Sequence, residues 1–471
     1  MEIVHVSAEC YPMAKSGGLG DVVGALPKYQ TQAKHYAKVV MPMYRTKYLY
    51  QNQWQVDAKG TVTMGELFFE YTVIKDPTVK LGFDLYLVDI PGLLDREQIY
   101  GYDDDTERFT AFQIAVLDWI NQWQHLPDVV HCHDHHTGLV PFMMKHSYAF
   151  QKLSKVPTVF TIHNAQYQGW MGWNKSNYLP AWDSWKGGLL EWAGTINPLA
   201  AGIKAAWKVT TVSWSYLEEL RNAANGLEAL FEYEKGKCVG ILNGIDADVW
   251  NPAEDSFIHQ KYSLATVKKG KKANKDKLCE QFGLPKNLPL FVFIGRLVGE
   301  KAADILPDAL GRALYYYKNQ CSILVLGSGD KQVELELQQV AAANTNHMNC
   351  YIGYNEALSH QIYAGADFLL MPSRVEPCGL NQLYAMAYGT VPVVRNTGGL
   401  RDTVKDMGDA GGWGIRFNNA TADDLLHAMY RGIDLYQNHA TQLQNMRATM
   451  MQINHSWENC VNEYLTMYEN L

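Results

Sequence analysis

Short apolar runs rich in β-branched residues recur along the chain, and each ends in small or polar residues that lead into a helix-like pattern. In the first half these runs cover residues 3–7, 128–133, 158–162 and 209–213. The pattern starts again in the second half, at residues 290–295, 322–327, 349–352, 368–372 and 391–394. Strands that alternate with helices are typical of parallel sheets, so we predict an α/β protein with two such sheets in tandem.

A turn-rich segment separates the two halves. It has the sequence Leu-Asn-Gly-Ile-Asp at residues 242–246 and is followed by Asn251-Pro252, a composition that suits a hinge. We place one domain at residues 1–245 and a second at 246–455. Ligands of open α/β folds bind where the carboxyl ends of the strands meet loops and helix N-termini. We therefore expect the active site to lie between the two domains.

The final segment, residues 456–471, has the spacing of a helix with one buried face. Its apolar positions are Val461, Tyr464, Leu465 and Tyr468. We expect this helix to pack against one of the domains.

Composition narrows the class of partner. With 471 residues the chain is too long for one core of usual size, and its 47% apolar and 19% charged residues are typical of a globular enzyme. A net charge of -8 without long basic runs argues against nucleic acid or an anionic membrane as partner. The exception is a lysine-rich run at residues 268–277, which we interpret as a solvated loop or exposed helix face.

Cysteine usage and hydropathy indicate a cellular compartment. The eight cysteines are scattered singly, so neither a disulfide framework nor a zinc ribbon is indicated. The first residues lack the basic segment and apolar core of a signal peptide, and no apolar stretch reaches the roughly 18 residues of a membrane span. We expect a cytoplasmic protein with reduced thiols.

The first candidate motif is Lys-Ser-Gly-Gly-Leu-Gly-Asp at residues 15–21, between the opening strand and a helical pattern. Amides at the start of a helix can bind an anion, and Lys15 adds a positive charge in the same loop. Glycines also serve a strand-to-helix turn by conformation alone, so the motif by itself leaves both functions open.

The second motif is Gly-Arg-Leu at residues 295–297 with Lys301 five residues after Arg296. A diphosphate leaving group gains negative charge as its bond to a sugar breaks, and paired cations stabilise that charge without a metal. The alternative is a surface Arg and Lys beside a helix start.

The third motif is Pro-Ser-Arg-Val-Glu-Pro-Cys-Gly-Leu-Asn-Gln at residues 372–382. Glu376 precedes a predicted helix, where its carboxylate could accept hydrogen bonds from sugar hydroxyls. The amides of residues 378–380 open that helix toward a phosphate. A second glycine turn at residues 397–402 could approach the same nucleotide, although structural capping is its simpler interpretation.

A fourth motif, His-Cys-His-Asp-His-His at residues 131–136, concentrates metal-binding residue types. Residues 131 and 133 of a strand share a face while 132 points away, so tetrahedral convergence on a metal is not expected. Nearby, His163 follows another strand, where a lone histidine is more often structural than catalytic.

In this order and spacing the motifs resemble those of bacterial glycogen synthases and plant starch synthases. The resemblance covers essentially the whole chain, including residues 242–244, residues 352–354 and Ser456-Trp457. It implies a retaining glycosyltransferase with two facing Rossmann-like domains of the GT-B type. It also implies that the last helix crosses back onto the N-terminal domain.

The resemblance assigns roles by position. It implies that Lys15, Arg296 and Lys301 hold the donor diphosphate, that Asp134 and His163 face the transferred glucose, and that Glu376 binds its hydroxyls. Tyr354 would lie beside the nucleotide base and Asn243 would approach the donor from the hinge. Further substrate contacts are expected from Gly17, Gly18, Cys378, Gly379, Leu380 and Asn381.

The reaction implied is transfer of glucose from ADP-glucose to the nonreducing end of glycogen or another α-1,4-glucan, with retention and without metal or cofactor. UDP-glucose is the alternative donor. A catalytically weakened glucan-binding protein is the nonenzymatic alternative. Glucan phosphorylase needs a lysine that binds pyridoxal phosphate, and no matching motif is present.

Three positions depart from the family pattern. Ala302-Ala303 follow Lys301 where glycine is usual, Asn381 replaces a common Thr, and His135 replaces a common Trp. We expect activity to survive these changes, although donor preference or acceptor length could differ.

Overall fold

The computed structural model describes residues 1–317 and 320–471. Within these residues the chain forms two compact units. The first consists of Met1–Asn243 together with Cys460–Leu471, and the second of Gly244–Asn459. The end of the chain therefore belongs to the first unit.

The first unit is built on one large sheet, a second sheet of two short strands, and helices. Its strands are β1 (Glu2–Val6), β2 (Tyr36–Pro42), β3 (Gln55–Met64), β4 (Leu67–Lys75), β5 (Asp84–Asp89), β6 (Val129–His133), β7 (Thr158–Ile162), β8 (Glu191–Trp192), β9 (Thr195–Ile196), β10 (Lys208–Thr211) and β11 (Cys238–Gly240). Its α-helices before the second unit are α1 (Gly18–Gln32), α2 (Lys47–Gln51), α3 (Asp105–Asn121), α4 (Val140–His146), α5 (Pro198–Ala205), α6 (Trp214–Leu220) and α7 (Glu228–Tyr233).

The strand order of the large sheet is β11-β10-β7-β6-β1-β2-β5-β4-β3. From β11 to β5 all neighbours are parallel, and β1, β6, β7 and β10 confirm the four strands predicted in this half. The prediction of a purely parallel sheet is wrong at one edge, where β3 and β4 are antiparallel. A two-residue connection that starts with Gly65, at φ 62, joins them as a hairpin.

The second unit has a smaller sheet. Its strands are β12 (Leu290–Ile294), β13 (Ser322–Gly327), β14 (Met348–Ile352), β15 (Phe368–Met371), β16 (Val391–Arg395) and β17 (Ile415–Phe417). Its α-helices are α8 (Val267–Phe282), α9 (Leu306–Tyr316), α10 (Lys331–Ala343), α11 (Glu356–Gly365), α12 (Asn381–Ala387), α13 (Gly398–Thr403), α14 (Ala422–Asn438) and α15 (Ala440–Gln452).

The second sheet is parallel throughout, in the order β14-β13-β12-β15-β16-β17. Alternate residues of its central strands enter two separate cores. In β12, Phe291 and Phe293 belong to one core, while Leu290 and Val292 belong to the other. Burial on both faces explains why the predicted strands read as continuous apolar runs.

The lysine-rich run forms part of helix α8, and its predicted exposure is wrong at two positions. Lys271 and Lys275 are buried. Lys271 donates to Thr390 Oγ1 at 2.7 Å and to the Tyr363 carbonyl oxygen at 3.2 Å, while Lys275 pairs with Asp367 at 2.6 Å. These lysines follow the 3.6-residue period of the helix, so they lie on its inner face.

The last helix, α16 (Trp457–Glu469), confirms the predicted C-terminal helix. All four of its predicted inward positions are buried: Val461, Tyr464, Leu465 and Tyr468. The Tyr468 oxygen accepts a hydrogen bond from Gln30 of α1 at 3.2 Å, which ties the end of the chain to the first unit. Within the described residues, helices are too short or too polar to cross a membrane.

Candidate active site

In the first unit, the ends of β6 and β7 bring Asp134 and His163 together. These strands are adjacent and parallel, and the Asp134 carboxylate accepts a hydrogen bond from the His163 amide at 2.7 Å. Asp134 has φ 57 and ψ 178, a conformation that is essentially restricted to glycine. Its amide donates to the Thr161 carbonyl oxygen at 2.9 Å, which holds this strained backbone in place. Such strain is concentrated at functional sites.

Burial sets the protonation of both groups. It raises the pKa of Asp134 to about 7 and lowers the pKa of His163 to about 3. The His163 imidazole is therefore neutral at physiological pH. Its Nε2 is 3.1 Å from Nδ1 of His133, so one ring nitrogen is already engaged within the protein.

The glycine loop before α1 is held by a residue that the sequence analysis missed. The buried Glu9 carboxylate accepts from the amides of Ser16 at 2.7 Å and Gly17 at 3.1 Å, and from the Tyr100 hydroxyl at 2.7 Å. Burial raises the pKa of Glu9, and these donors oppose that shift. The amide of Gly17 thus already has an acceptor in Glu9.

Lys15 lies on this loop, and Gly18 is the first residue of α1. Lys15 Nζ is 2.7 Å from Asp21, and the Lys15 side chain is partly exposed. A Cβ added to Gly17 or to Gly18 would meet no atom within 4 Å. The loop therefore offers open space beside a cation, which a bound molecule could occupy.

Asn243 ends the first unit, shortly after β11. Its side chain is buried, and its Oδ1 has no hydrogen-bond partner among the residues that the structure describes. A buried polar atom in that state is unusual and marks a position where a further partner would be stabilising.

In the second unit, the ends of β12 and β15 bring Lys301 and Glu376 together. Lys301 Nζ lies 2.7 Å from Oε1 and 2.6 Å from Oε2 of Glu376. Ser373, which the sequence analysis did not single out, donates to Oε2 at 2.8 Å. The Glu376 side chain is only 7% exposed, so this ion pair is largely shielded from solvent.

Arg296 follows β12 in a more open position. Its side chain is 56% exposed and lies 3.6 Å from Glu300. This long, solvated ion pair leaves the guanidinium accessible to another anion.

Ala302 is one of the positions at which the sequence departs from the family pattern. It has φ 52 and ψ 37, in the left-handed region where glycine has no steric penalty. The glycine usual at this position in the family thus has a backbone reason, and alanine holds the same turn at some cost in strain.

The backbone that precedes α12 is tightly constrained. Gly379 has φ 74, and the Gly399 amide donates to the Glu376 carbonyl oxygen at 3.0 Å. A Cβ added to Gly399 would lie 2.0 Å from the Cys378 carbonyl oxygen. The second glycine turn therefore packs directly against residues 376–378.

Asn381, at the start of α12 after Leu380, donates from Nδ2 to the Ile294 carbonyl oxygen at 2.7 Å. It thereby ties α12 to the end of β12. Tyr354 lies elsewhere, past the end of the edge strand β14, and is 80% exposed. Its ring faces solvent, and its hydroxyl contacts Glu356.

Each unit has its own chemical character. The first presents a neutral imidazole, a buried carboxyl group and a lysine beside an open glycine loop. The second presents two cations, a shielded carboxylate and a constrained backbone at the start of a helix. The second set suits a diphosphate. In the first set, the imidazole and the carboxyl group suit a hydroxylated group, and the lysine suits an anion.

Two solved structures with a similar fold are a sucrose-phosphate synthase and a starch synthase. Sucrose-phosphate synthase from Thermosynechococcus elongatus has a TM-score of 0.64 at 16% identity, over 99% of this chain and 98% of that one. The catalytic domain of Starch Synthase IV from Arabidopsis thaliana, bound to ADP and acarbose, has a TM-score of 0.90 at 30% identity, over 100% and 99%. The chain has the GT-B fold of these enzymes, as the sequence predicted.

Sequence comparison defines the family. A family model described as the Starch synthase catalytic domain matches residues 2–233, and one described as Glycosyl transferases group 1 matches residues 274–440. A glycogen synthase from Flavobacterium johnsoniae is 51% identical over 468 residues, covering 99% of this chain and 98% of that protein. One from Streptococcus pneumoniae is 36% identical over the full length of both. The chain belongs to the glycogen synthase and starch synthase family of hexosyltransferases, which confirms the predicted family.

Proposed function

We propose that this enzyme transfers glucose from ADP-glucose to the nonreducing end of glycogen or another α-1,4-glucan, with retention of configuration. The observation that supports this most strongly is its full-length likeness to a starch synthase catalytic domain that binds ADP and acarbose. ADP is the product that ADP-glucose leaves when its glucose is transferred.

The chemistry of the second unit supports the handling of a diphosphate leaving group. We assign Arg296 and Lys301 to the donor diphosphate, where fixed cations stabilise charge that grows in the transition state. Glu376 orients Lys301 and has two oxygens that accept hydrogen bonds, and we assign it to the glucose hydroxyls. The amides of Cys378, Gly379 and Leu380 precede α12 and are assigned to phosphate, and Asn381 to the nucleoside.

The chemistry of the first unit supports contact with the glucosyl group. We assign His163 and Asp134 to this group because a neutral imidazole and a buried carboxyl group both form hydrogen bonds with hydroxyls. Lys15, Gly17 and Gly18 are assigned to the donor phosphates, and Asn243 to the donor through its buried Oδ1. Tyr354 is assigned to the face of the base. The two sets are proposed to act on the same donor, without metal or cofactor, in the cytoplasm.

UDP-glucose is the second candidate donor, because an exposed tyrosine ring such as that of Tyr354 stacks on either base. A glucan-binding protein with weakened transfer is the second candidate class. Asn381 and His135 motivate it. Asn381 already binds the Ile294 carbonyl oxygen, and the His135 ring packs against that of His136, with ring centroids 3.7 Å apart.

The test is nucleoside diphosphate release from ADP-glucose and from UDP-glucose, each with and without glycogen, in the presence of a metal chelator. We expect glycogen-dependent release of ADP that the chelator does not change. Release of UDP alone would transfer the proposal to the other donor. Tight binding to glycogen without release from either donor would instead support the glucan-binding protein.

A further inference from the structure

Beneath His163 lies a row of fully buried histidines. His5 of β1 and His131 and His133 of β6 have no exposed surface. Residues 5 and 131 are partners in the parallel pairing of β1 with β6, and residues 131 and 133 share one face of β6. Ring centroids are 4.9 Å apart for His5 and His131 and 4.3 Å apart for His131 and His133.

The three histidines resemble a metal site, because their ligand atoms lie within 4.8 Å of one another. Every ring nitrogen of the three is, however, already in a hydrogen bond. His5 contacts Gln30 at 2.8 Å and His133 at 3.0 Å, and His133 contacts His163 at 3.1 Å. His131 contacts the hydroxyls of Tyr468 and Thr161, each at 2.6 Å. A metal would have to displace a complete network, so we interpret the cluster as a hydrogen-bond relay.

Burial keeps these imidazoles uncharged. It lowers the pKa of His5 to about 4 and the pKa values of His131 and His133 well below their ordinary value. A neutral imidazole has one donor nitrogen and one acceptor nitrogen. The proton position on one ring therefore dictates the proton position on the next.

The Tyr468 hydroxyl sets the direction in which protons are donated along the relay. A phenol hydroxyl is a stronger donor than a neutral imidazole N–H, so in the 2.6 Å contact Tyr468 donates to Nδ1 of His131. The Tyr468 oxygen then accepts from the Gln30 amide nitrogen at 3.2 Å, which turns the Gln30 amide oxygen toward His5.

The remaining protons follow in order. His5 donates from Nε2 to Gln30, so its Nδ1 accepts from Nε2 of His133. Nδ1 of His133 then accepts from Nε2 of His163. His163 consequently carries its proton on Nε2 and keeps Nδ1 as an acceptor. If the Gln30 amide were reversed, each ring from His5 to His163 would take the other tautomer.

We propose that Tyr468 and Gln30 are positioning residues that fix the Nε2–H tautomer of His163 through His5 and His133. The consequence for catalysis rests on the proposed function, in which His163 faces the transferred glucose. There, Nδ1 accepts a hydrogen bond from a sugar hydroxyl, which the other tautomer cannot do. Helix α16 thus has a direct part in preparing the site.

The tautomer is measured in protein labelled with ¹⁵N-histidine, by long-range ¹H–¹⁵N correlation. The His163 signals are assigned from their loss in His163→Gln. We expect the Nε2–H tautomer in the unchanged protein and a mixture in Tyr468→Phe, which removes the hydroxyl that sets the direction. Gln30→Met, which keeps the side-chain volume but deletes both amide contacts, should give the same mixture.

The matched control is Tyr464→Phe, one turn earlier on α16, whose ring also packs near His131 but is not a member of the relay. It should leave the His163 signals unchanged. An Nδ1–H tautomer in the unchanged protein would overturn the proposal. So would His163 signals that Tyr468→Phe and Gln30→Met leave as they were.

The kinetic readout is glycogen-dependent nucleotide release. Loss of one buried hydrogen bond to the reacting group corresponds to about tenfold in kcat. We therefore expect kcat for Tyr468→Phe to fall with the share of the Nε2–H tautomer that NMR measures, by up to about tenfold where the other tautomer dominates, with the donor KM unchanged. Equal kcat in Tyr468→Phe and Tyr464→Phe would overturn the catalytic consequence. If the unchanged protein released no nucleotide, the proposed function would fail, while the NMR measurement would still decide whether the relay exists.

Discussion

Replacing Lys301 with alanine removes the cation that both oxygens of Glu376 bind. Two effects follow from the structure. The variant loses a proposed contact to the donor diphosphate, and it leaves a carboxylate whose side chain is 7% exposed without its ion-pair partner. The second effect is structural and would also lower activity, so the experiment must separate the two.

The structure sets an upper bound on the free energy of unfolding that Lys301→Ala loses. Breaking a fully buried ion pair from one side costs about 3–5 kcal/mol. The Lys301 side chain is 25% exposed, so water screens this pair in part, and Ser373 still donates to Glu376. We therefore expect a loss of about 2 kcal/mol, which for a unit of this size lowers Tm by about 4–8 °C.

A second substitution separates the loss of stability from the loss of contacts to the donor. In Lys301→Ala combined with Glu376→Gln, the buried charge is gone, and the amide retains an oxygen that accepts from Ser373. We expect most of the lost stability to return. Turnover should stay lower than in the unchanged protein by more than about a hundredfold, since a fixed charge that stabilises the leaving group is absent in both variants.

The assays are thermal unfolding and ADP release at saturating glycogen, each on the unchanged protein and both variants. Turnover of Lys301→Ala equal to that of the unchanged protein would refute its role in the reaction. If the double variant were as unstable as the single one, the uncompensated Glu376 charge would not be the cause of the instability.

Four other substitutions test separate parts of the account. Burial raises the pKa of Asp134 to about 7, against about 3.9 in the unfolded chain. Between about pH 4 and 7 the carboxyl group is therefore protonated in the native state but ionised in the unfolded state, so the native state loses stability as pH rises. We therefore expect the free energy of unfolding of Asp134→Asn, relative to that of the unchanged protein, to rise by about 1 kcal/mol per pH unit from about pH 4 to 7. Urea unfolding at several pH values measures this difference, and a difference that does not change with pH would refute the expectation. Gly18→Ala should leave Tm unchanged, because its Cβ would meet no atom, but should raise the donor KM. Gly399→Ala is the contrast and should lower Tm, because its Cβ would meet the Cys378 carbonyl oxygen. A lower Tm in Gly18→Ala would contradict the first expectation. Arg296→Ala should unfold within about 0.5 kcal/mol of the unchanged protein, since its ion pair is exposed, yet turn over donor more slowly; equal turnover would remove Arg296 from the site.

The strands that carry the site could be predicted because they are buried on both faces. Such strands read as continuous apolar runs, and their ends are marked by Gly295 or by polar residues such as Asp134. The hairpin of β3 and β4 lies at a sheet edge, and β3 is mostly exposed. β3 therefore lacks the apolar run that identified the others.

The site residues that sequence reasoning missed act through contacts between distant segments. Glu9 is a single acid after a strand, and its importance appears only when the loop folds back to offer the amides of Ser16 and Gly17. The pairing of His5 with His131 depends on the order of β1 and β6 in the sheet, which spacing along the chain does not determine. A residue that aligns a backbone or a neighbouring ring leaves no local pattern.

The central claim is tested most directly by the linkage that the enzyme makes. The measurement is NMR of the product formed from ADP-glucose, ¹³C-labelled in its glucose, and a maltooligosaccharide acceptor. We predict a new labelled unit at the nonreducing end, joined by an α-1,4 bond. A β-linked unit, labelled glucose released only to water, or no transfer would contradict the account.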